Sequence, residues 1–140
     1  MPIGCASGRA VTDSPDLRRF LRGEIDPRGF THREHVRMAF ELLKAEDFLT
    51  ALTHYAGALR GLLARVGRQE AFNHTITIAY LALIAERMQA PGVECFEAFA
   101  ARYPELFEPG LLHRWYEPQA LPSPRARRAF LMPAPHRDPR

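Results

Sequence analysis

Valine and isoleucine are scarce: the 140-residue chain holds 9 of them against 36 alanines and leucines, so its apolar 46% consists of helix formers rather than strand formers. That composition points away from a β-sandwich or barrel. Cysteine is almost absent, with Cys5 and Cys95 alone. Two distant thiols make neither a CxxC pair nor a disulfide framework, and ordinary reduced cysteines are expected. No apolar run approaches the ~20 residues that cross a bilayer, and Met1-Pro2-Ile3-Gly4-Cys5 lacks both a basic segment and an apolar stretch of secretory length. A cytoplasmic protein without a membrane partner is the resulting expectation. Glycine-rich phosphate loops of the GxGxxG or GxxxxGK[ST] type are missing, as is a GxSxG elbow, so neither nucleotide-cradle nor serine-hydrolase chemistry has its usual sequence support.

Lysine is nearly missing too: 18 of the 19 basic residues are arginine. The formal charge of +3 is uneven, because residues 113–140 carry 6 Arg against 2 acids, while residues 1–112 carry 13 basic residues against 14 acids. The body is therefore near neutral and the tail basic. Arg125, Arg127 and Arg128 form a basic patch without interleaved aromatics at base-stacking positions, and no nucleic-acid partner is expected.

What is present reads as helices. Ser14-Pro15-Asp16 supplies an N-cap, a proline at the first helical position and an acid in the first turn, ahead of Leu17, Phe20 and Leu21 and a stop at Gly23. Thr31 and Glu34 have capping-box spacing, opening a second helix that runs to about Ala45 with Val36, Ala39, Phe40 and Leu43 on one face. Asp47 caps a third, whose stripe Leu49, Leu52, Ala56, Leu59, Leu63 and Val66 closes at Gly67. A fourth spans about Phe72 to Gln89, is apolar on nearly every side, and stops at Pro91-Gly92. Within it, Thr75-Ile76-Thr77-Ile78 is a β-branched run better suited to a strand. Shorter helical pieces follow around Phe96 to Ala100, Leu111 to Tyr116 and Arg125 to Leu131. The pattern predicts an all-α, single-domain helical bundle over residues 14–131, with a four-helix core, short C-terminal helices wrapped over it, and flexible termini at 1–13 and 132–140.

Six histidines stand at 32, 35, 54, 74, 113 and 136. His32 and His35, three apart at a helix start, project on one face with Cβ atoms about 5–6 Å apart, which suits two imidazoles on one ion. His74 opens the fourth helix and would join them if the second and fourth helices start at the same end of the bundle. Three imidazoles with an open fourth position is the pattern of a catalytic metal. Against this, a histidine near a helix start also caps, hydrogen-bonds a carbonyl or packs. Glu34 is a candidate general base, although its spacing from Thr31 favours a capping role. Glu70, one turn before His74, is the better-placed acid or a solvated loop residue. Thr77 could orient an imidazole or bond back to its own helix. His54, His113 and His136 read as surface residues.

Phe30-Thr31-His32-Arg33-Glu34-His35-Val36-Arg37-Met38-Ala39, followed by Asn73-His74-Thr75-Ile76-Thr77, resembles a group of small uncharacterised bacterial all-helical proteins that carry FxHR[DE]HxRxA and a second, histidine–threonine motif. Trp115-Tyr116-Glu117 and Ser123-Pro124-Arg125-Ala126-Arg127 look like that group's usual ending. Asn73 departs from the aromatic the group has there. The resemblance implies that His32, His35 and His74 belong together, and it implies no reaction.

Two functions follow as expectations. One is a small metalloprotein, an enzyme in which His32, His35 and His74 bind one transition metal ion, Zn or Fe(II), that activates water or an oxygen-bearing small-molecule substrate while Glu70 or Glu34 moves a proton. The other is a non-catalytic helical interaction module with buried structural histidines.

Overall fold

The computed structural model describes residues 14–134, and these are all-helical. Capping chemistry sets the boundaries. The first helix, α1 (Pro15–Leu21), starts where the Ser14 side chain accepts from the Leu17 amide, and α2 (His32–Ala45) where the Thr31 hydroxyl accepts from the Glu34 amide at 3.3 Å. Only half of the expected capping box forms, because the Glu34 carboxylate turns to Arg37 instead, at 2.7 Å. Asp47 caps α3 (Phe48–Arg65), and Asn73 caps α4 (His74–Arg87) by accepting from the Ile76 amide at 2.9 Å. Two short helices, α5 (Phe96–Arg102) and α6 (Pro124–Arg128), follow, with single 3₁₀ turns at Gln69–Ala71, Pro104–Phe107 and Leu111–Arg114 among the connections. Among the described residues no helix is long and apolar enough to cross a membrane.

α2, α3 and α4 pack on one another at the centre, and α1 lies across α2 and α3. The core runs through Leu17 and Phe20, the α2 face Val36, Ala39, Phe40 and Leu42, then Leu81 and Ile84, and is extended by Phe96 and Phe99 of α5. In α3 the buried face is Ala51, Tyr55 and Leu62; Leu49 and Val66, at the ends of the expected stripe, are 71% and 47% exposed. A second, smaller core lies on the far side of α4, where Leu112, Tyr116 and Leu121 pack against Ile76, Ala79 and Leu83. That is why α4 is apolar nearly all round: it is sandwiched between the main core and the C-terminal segment.

Cys95 is disulfide-bonded, against the expectation of reduced thiols. The expected flexible arms at 1–13 and, from residue 135 onward, at the C-terminus also lie outside the described residues.

Candidate functional site

A pocket of about 280 Å³ opens between α2, α3 and α4. Its walls are mainly apolar: Val36 and Ala39 from α2, Leu59 and Leu63 from α3, Ile76, Leu81 and Ile84 from α4, with Phe72 at one end. The polar groups that reach it are few, namely His32 and His35 from α2, Tyr55 from α3, and Asn73, Thr77 and Tyr80 at and within α4. Few polar groups on apolar walls is the general build of a small-molecule site.

His35 is strongly perturbed. Its ring packs on Phe30 with centroids 4.3 Å apart, Phe30 stacks on Phe20 at 5.2 Å, and Phe20 lies 5.5 Å from Tyr55, so an aromatic chain screens the imidazole from water. Burial, and then the neighbouring His32, lower its pKa to about 4, and a hydrogen bond with the Phe30 backbone offsets part of this. His35 is accordingly neutral at physiological pH. The Tyr55 hydroxyl sits 3.2 Å from its Nδ1, and burial pushes the phenol pKa up, so this hydroxyl keeps its proton. The pair is an uncharged hydrogen-bonding unit set in an apolar wall.

His32 does not point its ring freely into the pocket. It is an exposed residue whose Nε2–H donates to the Leu106 carbonyl at 2.8 Å, with the ring edge-on to Tyr80. His74 is held elsewhere. Its Nδ1–H donates to the Arg127 carbonyl at 2.6 Å, and its ring lines a separate depression together with Glu70. Phe72 contributes to both spaces, and its ring centroid is 4.9 Å from that of His74. The structure therefore brings His32 and His35 together, and His74 with Glu70, as two separate pairs. Among the described residues no three His, Cys, Asp or Glu side chains form a group that could hold a metal ion. The three-imidazole centre expected from the sequence is not assembled, because the start of α4 turns His74 toward the C-terminal segment. Glu34 is also away from the pocket: it shares Arg37 with Asp16 and Glu41, at 2.7, 2.5 and 3.3 Å. We expect a chelator to leave the melting midpoint unchanged at pH 7.5. A fall abolished alike by His35→Ala and His74→Ala would restore the shared ion.

The start of α4 has a different task. The Asn73 amide donates to the Leu121 carbonyl at 2.7 Å. Thr75, fully buried, donates its hydroxyl proton to the Ala129 carbonyl at 2.8 Å and accepts from the Leu131 amide at 2.9 Å. Tyr116 adds a bond from its hydroxyl to the Leu131 carbonyl at 2.8 Å. With His74, these side chains latch the segment from 121 to 131 along α4. Thr77 takes neither role weighed for it beside His74; it lines the apolar pocket.

Tyr55 is the site residue that sequence reasoning missed. Ala51, Tyr55, Ala58 and Leu62 recur at helical spacing, a stripe parallel to the more hydrophobic leucine stripe and overshadowed by it. No family model, curated protein or solved structure matches the chain, and the site is read from its own residues.

Proposed function

We propose that this protein binds a small, mainly apolar molecule between α2, α3 and α4, oriented by the His35–Tyr55 pair. The observation that carries the reading is the conjunction of the pocket with a half-buried neutral imidazole and a buried phenol on its wall. At about 280 Å³ the space is nearly twice the ~150 Å³ that an apolar cavity needs to take up benzene. A fused two-ring compound is the size it admits. The polar end of such a ligand meets groups that both donate and accept, and neither member of the His35–Tyr55 pair carries a charge to hold a carboxylate. A neutral hydroxyl or carbonyl is therefore favoured over a charge. This keeps the small-molecule partner expected from the sequence and does without the ion.

The test is a thermal-shift titration with 2-naphthol and with naphthalene. Ligand that binds only the folded chain raises the midpoint in proportion to RT ln(1 + [L]/Kd), so 2-naphthol should give a saturable rise larger than naphthalene. Replacing Tyr55 by Phe should bring the two ligands to the same level. Ala39→Phe, which fills the pocket from α2, should abolish both shifts. Absence of any saturable shift, or an unchanged shift in the filled variant, would remove the reading.

A further inference from the structure

The depression that holds His74 has chemistry opposite to that of the apolar pocket. Its volume is about 350 Å³, and its lining brings together Arg60 of α3, Gln69 and Glu70 of the 3₁₀ turn, His74 at the start of α4, and Arg127 and Arg128 of α6. Three arginines from two distant parts of the chain thus line one depression with a single acidic residue. None of the three arginines has a carboxylate within 4.0 Å among the described residues. Among the described residues Arg28, Arg37 and Arg87 do have such partners, Arg37 holding Asp16, Glu34 and Glu41, and Arg87 holding Glu105 at 3.2 Å.

Two of the three arginines are held by neighbours. Arg60 lies over the Phe72 ring at 5.7 Å. The Arg127 Nε–H donates to the Pro122 carbonyl at 3.1 Å, which fixes the root of that guanidinium and leaves its terminal nitrogens unbonded to any described residue. The His74 bond to the Arg127 carbonyl, together with the Thr75 latch, holds α6 against α4, on which α3 also packs. Like charges gathered in a concavity repel one another, and an anion entering it removes the repulsion while collecting forked N–H donors from several directions. Donors spread around a concavity suit a tetrahedral oxyanion better than a flat carboxylate, which one arginine already satisfies.

We infer that the Arg60–Arg127–Arg128 depression is a binding site for a phosphate group carried by a small soluble molecule. This site is independent of the apolar pocket: the two share only Phe72 as a wall. Glu70 stands within it as a charge of the wrong sign, which limits affinity and selects against the most highly charged ligands.

The full chain should be titrated with sodium phosphate and with glycerol 3-phosphate, at ionic strength held constant with sodium chloride, by calorimetry and thermal shift. Both should raise the midpoint saturably, beyond anything chloride does. Arg60→Gln combined with Arg128→Gln should weaken phosphate binding at least about tenfold, and without phosphate should melt no lower than the parent, since repulsion has been relieved. Glu70→Gln should tighten phosphate binding several-fold, a gain that misfolding cannot produce. The inference is overturned if phosphate and chloride act alike, if the arginine variant keeps its affinity, or if Glu70→Gln leaves affinity unchanged. It is equally overturned if vesicles of phosphatidylglycerol in phosphatidylcholine bind the chain and glycerol 3-phosphate does not compete, which would assign the arginines to a lipid surface.

Discussion

Thr75→Val is expected to destabilise the protein by about 2–4 kcal/mol, although it preserves side-chain volume and adds apolar surface. Thr75 is 0% exposed, and its hydroxyl serves the Ala129 carbonyl and the Leu131 amide at once. Valine leaves both backbone groups beside a methyl, and each buried group without a partner costs about 1–3 kcal/mol. The loss has a ceiling, because if residues 129–131 lift away both groups return to water. What is then lost is the packing of Leu131 against the second core and its bond from the Tyr116 hydroxyl. Thr75→Ser keeps the hydroxyl, removes one methyl, and should cost about 1 kcal/mol. Denaturant unfolding of the two variants separates them, and amide exchange locates the effect: the Leu131 amide should lose protection in the valine variant and keep it in the serine variant. Equal stability of Val and Thr forms, with Leu131 still protected, would show that the latch is not what holds this segment.

The latch also explains what could be read from the chain and what could not. Helix starts were legible because Ser14, Thr31, Asp47 and Asn73 cap through bonds that span only three residues. The burial of α4 on nearly all sides was legible from its composition. The strand-like Thr75-Ile76-Thr77-Ile78 run was a visible conflict, but its resolution depends on contacts with residues more than fifty positions away, and no local rule contains them. The same holds for His74. Its place at a helix start was correct, whereas the direction of its ring was decided by the Arg127 carbonyl, 53 residues on. In α3 two apolar stripes overlap, and the choice of Tyr55 over Leu49 for burial was made by Phe20 and His35, which belong to other helices. Helix periodicity states that a face is buried. It does not state which partner's polar atoms that face will meet.

Between pH 7 and pH 4 the folded state should lose about 3 kcal/mol through His35 alone. In the unfolded chain this imidazole takes up a proton near its ordinary value of 6.5; in the folded state burial and His32 hold it neutral until about pH 4. Because the folded pKa is the lower one, the contribution is fully present above pH 6.5 and is lost as pH falls through the window down to about 4, where the unfolded state binds the extra proton. At about 1.36 kcal/mol per pH unit the window amounts to about 3 kcal/mol. Glu41 acts in the opposite sense: burial raises its pKa despite Arg37, so the folded state takes up that proton readily and recovers stability as pH falls. The two windows overlap, and the raw pH profile is therefore shallower than the His35 contribution. His35→Asn isolates it, since asparagine keeps a polar group beside Tyr55 and does not titrate. Urea unfolding of both proteins at half-unit steps from pH 7.5 to 4 should give difference curves that are flat above pH 6.5 and then converge on the variant by about 3 kcal/mol. The His35–Tyr55 pair meanwhile stays uncharged, so the hydrogen bonds it offers 2-naphthol should not change from pH 8 to pH 5.5. Parallel stability curves for the two proteins would mean that the imidazole is open to water, and the screening by Phe20, Phe30 and Tyr55 would have to be abandoned.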